Sequence, residues 1–342
     1  MQKNSLWKIL SILGLVTASS ANAFTINPVF DSTWMSSAPT AATQDVQAVA
    51  TQLASLFTNT GSVTISFGWN EVNGQAVSGT TAGATLEQFY GQSGTSVPLY
   101  SLSTVKSLLS SYSAANPQNT VLSTEIANIP GSVSNANGYN LFALPEAQYI
   151  ALTGSSFTGN SAYIGFGGSL NWQYSEAGGI ASNAYDFNSV LFHEITHALG
   201  RVDYSTTTGA PYFVPYDLTR YNCGTTTLNS TQSSPACFSY NGGVTDLATF
   251  SSTDDPGDWA STAASGVPST AGSTNNAYIS PGTLNTMLTV DNQTMQALGY
   301  TYAPVSSSST SSPIPIPGTG WIFASGMLLV GLKNRKFLRK SV

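Results

Sequence analysis

Residues 188–204 read N-S-V-L-F-H-E-I-T-H-A-L-G-R-V-D-Y and constrain this chain more than any other stretch. His193 and His197 lie four apart, so on a helix both imidazoles leave one face a turn apart and can grip one metal ion. Glu194, beside the first histidine, can reach a water on that metal without being a ligand. Gly200 tolerates φ > 0, which ends the helix and turns the chain back. That turn is expected to return Asp203 to the metal as third ligand, with Tyr204, Asp217 or water as the alternatives. The chain has 2 histidines and both fall in this motif. By chance a full H-E-x-x-H arises in well under ~1% of chains of this length.

The chemistry of such a site is specific. Zinc in a hydrolytic centre takes three protein ligands and keeps one position for water. The ion lowers that water's pKa to about 7, so hydroxide is available at neutral pH. Glu194 would take the water's proton and pass it to the leaving amine. One class of zinc peptidase draws its third ligand from a downstream glutamate, but no Glu follows Glu194 here.

Composition narrows the functional classes. Charged residues are only 8% of the chain, against roughly 25% in soluble domains. Residues 24–304 hold three cations, Lys106, Arg201 and Arg220, against all 16 acidic residues. A body so poor in Lys and Arg offers no electrostatic footprint for nucleic acid. Cys223 and Cys237 enclose a Thr/Ser/Asn-rich loop and are expected to pair in an oxidising compartment. Closing a loop of about 15 residues contributes ~3 kcal/mol in the entropic description. The alternative is two free thiols.

Along the chain, residues 1–23 read as a secretory signal: Lys3 and Lys8, an apolar run, then Ala21-Asn22-Ala23. Residues 43–57 place apolar side chains at helical spacing, and residues 62–69 alternate as a strand. Residues 103–112 predict a helix capped by Ser103, and residues 145–152 another. Residues 162–166 predict a strand that is either the sheet edge on which an extended substrate could pair or an interior strand. The central helix spans residues 185–199, capped by Asp186. Phe187, Leu191, Ile195 and Ala198 form its buried stripe, leaving the histidines on the free side. Asp254, Asp255 and Asp258 form an acidic turn. A calcium site there is possible, but the spacing matches no known calcium loop and a surface turn is favoured. Residues 291–298 predict a last helix ended by Gly299. A Ser-rich linker (305–312) then leads to Pro313–Pro317 (P-I-P-I-P), a Trp-led apolar run and a basic end. From Ile316 that run approaches spanning length, with the basic end cytoplasmic.

The motif H-E-I-T-H-A-L-G-R-V-D-Y resembles that of metzincin-type zinc metallopeptidases, with aspartate at the third-histidine position as in the snapalysin-like branch. Segments 185–204, 217–221, 238–250 and 295–300 are similar to a group of exported bacterial metallopeptidases. The resemblance implies one α+β domain over residues 24–304, zincin/metzincin-like, with a twisted mixed sheet and a central zinc-binding helix. It implies His193, His197 and Asp203 on one catalytic Zn²⁺, Glu194 as catalytic base, and a polypeptide substrate. It also implies a methionine turn beneath the metal, for which Met287 is the candidate, with a core role the equal alternative; Met295 is expected in the core. Residues 313–342 resemble a PEP-CTERM sorting tail. That implies export across the inner membrane of a Gram-negative bacterium, transient anchoring, processing by an exosortase-type membrane enzyme, and a secreted or cell-surface protein; a monomer is expected. The leading expectation is a zinc endopeptidase. The alternatives are a surface or matrix adhesion protein with a structural zinc, and a zinc amidase acting on cell-wall peptide.

Overall fold

A computed structural model describes residues 23–78, 81–135, 137–204, 212–231 and 235–304. The secretory signal and the sorting tail lie outside the described residues. Within them no helix is long and apolar enough to cross a membrane.

The organising layer is a mixed four-stranded sheet. β1 (Thr25–Phe30) runs parallel to β2 (Ser62–Trp69), and β2 parallel to β4 (Ala162–Phe166). β3 (Gly83–Glu87) closes the sheet antiparallel to β4, pairing Gly83 with Phe166 and Glu87 with Ala162. The spatial order is β1-β2-β4-β3. Val63, Ile65 and Phe67 of β2 are wholly buried, as an interior strand covered on both faces requires. β4 is interior as well. Of the two readings for residues 162–166 the interior strand holds and the edge strand does not; the edge that borders the cleft is β3, Gly83–Glu87.

Seven helices are described. α1 (Ser32–Ser37) starts on the Asp31 carboxylate, which accepts from the Trp34 amide at 2.8 Å. α2 (Thr40–Leu56) buries Ala42, Val46, Val49, Ala50 and Leu53, the stripe its periodicity predicts, and packs on β1 and the central helix. α3 (Leu102–Ala115) is capped by Ser101, which accepts from Thr104, and not by Ser103. With α4 (Thr120–Asn128) and Phe142, α3 builds a second apolar core around Val105, Leu109 and Leu122. α5 (Glu146–Thr153) ends at Gly154 with φ 69°, where only glycine is unstrained. α7 (Thr289–Ala297) closes the chain against the main core.

The central helix, α6 (Phe187–Ala198), is capped by Asp186 as expected, its carboxylate accepting from the Ser189 amide at 3.1 Å. Its predicted stripe is fully buried, but so is every other residue of the helix. The expectation of a free outer side is therefore corrected: loop residues 254–279 cover the histidine face and leave a cleft. Cys223 and Cys237 are bonded. They join β5 (Arg220–Asn222) and its loop to β6 (Ala236–Phe238), with β7 (Ala248–Thr249) completing an antiparallel sheet.

Candidate metal centre

His193 and His197 meet as the four-residue spacing dictates, their Nε2 atoms 3.0 Å apart. Each Nδ1 lies on a backbone carbonyl: Thr274 at 2.8 Å for His193, Arg201 at 2.6 Å for His197. A carbonyl only accepts, so both Nδ1 atoms carry hydrogen and a neutral ring presents its Nε2 lone pair to the other. The third group is Asp258, whose Oδ1 stands 3.4 Å from His193 Nε2 and 3.0 Å from His197 Nε2. Three acceptors facing one another repel unless a proton, as in a His–Asp258 ion pair, or a metal cation sits among them. Donors bound tetrahedrally to zinc at 2.0–2.1 Å stand roughly 3.3 Å from each other. The observed 3.0, 3.0 and 3.4 Å edges fit that ion, and the set of two imidazoles and a carboxylate is one zinc accepts.

Arg201, which no sequence argument singled out, fixes Asp258. It is fully buried, donates to Asp258 Oδ1 at 2.6 Å, and is held by Gly257 O at 2.9 Å and Thr196 Oγ1 at 3.0 Å. Burial alone would raise the Asp258 carboxyl. Positive charge on His193 and His197, when protonated, and on Arg201 outweighs it and holds the group well below the usual carboxylate range.

Asp203, expected as third ligand, is not part of this group. Gly200 does end the helix, with φ 112°, and the Gly200 and Arg201 amides close on His197 O and Thr196 O. The turn spends itself on bringing the Arg201 carbonyl to His197. Asp203 is carried past, its Oδ2 3.3 Å from Arg220, which also donates to Pro256 O at 2.7 Å and stacks over Phe250. Asp217 caps the turn at Pro215–Thr219, accepting from the Val214 and Tyr204 amides. Tyr204 donates its hydroxyl to Glu87. The acidic turn is likewise corrected: Asp254 and Asp255 are exposed, but Asp258 is 3% exposed and belongs to the histidines. Its buried successor Trp259, which donates to Asp291 at 2.6 Å, was the one available signal that this turn dives inward. Met287 is buried in the core that holds α6 and is not among the residues lining the cleft, and Met295 is core as expected.

Glu194 faces the cleft beside the histidines and is gripped by the edge strand. Thr85 Oγ1 lies 2.7 Å from Glu194 Oε2 and 3.1 Å from its carbonyl. Gly83 lies so close that a Cβ there would sit 2.4 Å from Glu194 Oε1. The cleft, of about 720 Å³, is bounded by residues 81–85 of the edge strand and its approach on one side and by the 254–258 and 276–279 loops on the other. Six carboxylates line it, Glu87, Glu194, Asp203, Asp254, Asp255 and Asp258, and among the described residues no Lys or Arg does. Glu87 is 6% exposed; burial raises its carboxyl above the ordinary range, and the Tyr204 hydroxyl only partly offsets this.

No protein-family model, curated protein or solved structure matches the chain.

Proposed function

We propose that this protein is a zinc-dependent endopeptidase with a zincin/metzincin-like catalytic domain over residues 24–304. The observation that carries the reading is the convergence of His193, His197 and Asp258 at 3.0–3.4 Å with Glu194 next to them on the floor of an open cleft. In this reading Asp258, and not Asp203, is the third ligand.

A bound zinc ion supplies Lewis acidity, which makes a water nucleophilic at neutral pH and polarises a carbonyl. The protein's own groups do the rest. Glu194, with one oxygen held by Thr85, offers the other to accept a proton from the water and return it to the leaving amine. The antiparallel edge strand Gly83–Glu87 borders the cleft, and an extended peptide can add to it through main-chain hydrogen bonds. The Nδ1–carbonyl bonds fix both imidazoles, and Arg201 fixes Asp258, so ligand geometry is set before an ion arrives.

Export is part of the proposal: residues 1–23 direct it, and residues 313–342 anchor the chain until an exosortase-type enzyme acts. The Cys223–Cys237 bond supports an oxidising compartment.

The test is metal analysis and casein hydrolysis with the purified chain. The expectation is one zinc per chain, turnover abolished by a chelator and restored by zinc, and Glu194→Gln that keeps zinc but has lost turnover. Zinc held by a wild-type chain that cleaves no protein would instead favour a surface protein with a structural zinc. Cleavage of cell-wall peptide alone would favour an amidase.

A further inference from the structure

We propose a second cation site, selective for a hard, oxygen-preferring ion of the calcium type, where α2 crosses the start of α6. Its donors are Asp45 of α2, Asp186 and Asn188 at the head of α6, and Glu176 in the segment before that helix. This site is independent of the reading of the histidine centre.

The argument rests on acceptors that nothing satisfies. Asp45 is 1% exposed, yet neither carboxylate oxygen has a hydrogen-bond partner. Asp186 is fully buried; its Oδ2 receives the Ser189 amide and hydroxyl, while Oδ1 has no partner. Asn188, 2% exposed, donates Nδ2 to Glu176 Oε1 at 3.3 Å, and its Oδ1 is also buried without a partner. A buried acceptor left unmade costs about 1–3 kcal/mol, more when charged, and native folds rarely keep several side by side.

Among the described residues no Lys or Arg answers them. Of the three in residues 24–304, Lys106 donates to Ile129 O, Arg201 to Asp258 and Arg220 to Asp203. A proton on Asp45 would neutralise one carboxylate and still leave the buried Asp186 Oδ1 and Asn188 Oδ1 without a partner. The carboxylates nonetheless feel one another: burial and then the nearby Asp186 and Glu176 charges push Asp45 up to about 7, and burial and Asp186 push Glu176 to about 7. α2 packs against α6, so the unpartnered Asp45 oxygens lie on the helix that crosses the unpartnered Asp186 and Asn188 oxygens.

The donor set names the class of ion. All four side chains offer oxygen and none offers nitrogen or sulfur, which disfavours zinc and copper. Their oxygens do not all converge within 4.8 Å, unlike the histidine centre. Calcium, with six to eight oxygens at 2.3–2.6 Å and water among them, tolerates that spread; magnesium, octahedral at 2.0–2.1 Å, does not. The ion would tie α2 to the first turn of the helix that carries both histidines.

The experiment titrates calcium into the purified full chain, with and without added zinc, read by calorimetry, by melting temperature and by zinc content. Terbium, excited through Tyr174 and Trp172 beside the site, gives a second readout. One saturable calcium per chain is expected, with Kd between about 10⁻⁶ and 10⁻³ M, and magnesium competing weakly. Asp45→Asn should bind about tenfold more weakly or worse, with zinc content unchanged. Should that variant fold poorly, Glu176→Gln at the half-buried rim should weaken binding in the same way. A wild-type chain with no saturable calcium, or variants that bind calcium as the wild type does, overturns the proposal.

Discussion

Thr85 holds the carboxylate that the proposed mechanism uses as its base. Its 2.7 Å contact fixes Glu194 Oε2, while Oε1 lies against Gly83 of the edge strand. A hydrogen bond to a charged group contributes about 1.5–3 kcal/mol, so Thr85→Val should lower kcat by about 10–100-fold. KM and zinc content should barely change, and Thr85→Ser should recover most of the rate. A loss confined to KM, or no rescue by serine, would mean Thr85 only shapes the pocket. At this scale the sequence was legible where ligand spacing is local: His193, Glu194 and His197 sit within one helical turn, and helix geometry leaves their placement little freedom. Asp258 was not legible. It reaches the site from a loop whose path is set by Arg201, by buried Trp259 and by the Asp291 carboxylate that anchors Trp259, none of which a spacing rule contains.

Elements that bury a regular stripe were equally readable. α2 and β2 follow from their periodicity, and α6 from its cap and apolar face. The edge strand Gly83–Glu87 escaped because G-A-T-L-E carries neither β-branched alternation nor a turn signal; its pairing with β4 makes it a strand. Its glycine matters for contact with α6, not for backbone conformation. Gly83→Ala would place a methyl 2.4 Å from Glu194 Oε1 and 2.7 Å from two of its carbons, so the Glu194 side chain must swing away. Turnover should fall at least tenfold, while stability falls by only the ~1–3 kcal/mol that overpacking costs. Full activity in the alanine variant would show that Glu194 as placed here is not the working base.

Over the whole molecule the dominant quantity is charge. Residues 24–304 carry 16 acidic side chains against three basic ones, and the cleft shares the imbalance. Self-repulsion of that size destabilises a compact chain and is screened by salt, with a Debye length of about 30 Å at 0.01 M and 3 Å at 1 M. The melting temperature at about 0.5 M NaCl should therefore exceed that at about 0.01 M by a few degrees; a flat or falling profile would contradict this. The same composition argues against a nucleic-acid partner and is silent on substrate. The cysteines predicted their own bond correctly because two residues allow one pairing. What composition could not supply was the crossing of α2 over α6, which alone brings Asp45 to Asp186.

The most direct test of the account is zinc per chain, measured after dialysis in wild type, Asp258→Asn and Asp203→Asn. The account predicts one zinc in the wild type, one in Asp203→Asn, and near-complete loss in Asp258→Asn. Full zinc retained by Asp258→Asn and lost from Asp203→Asn would contradict it.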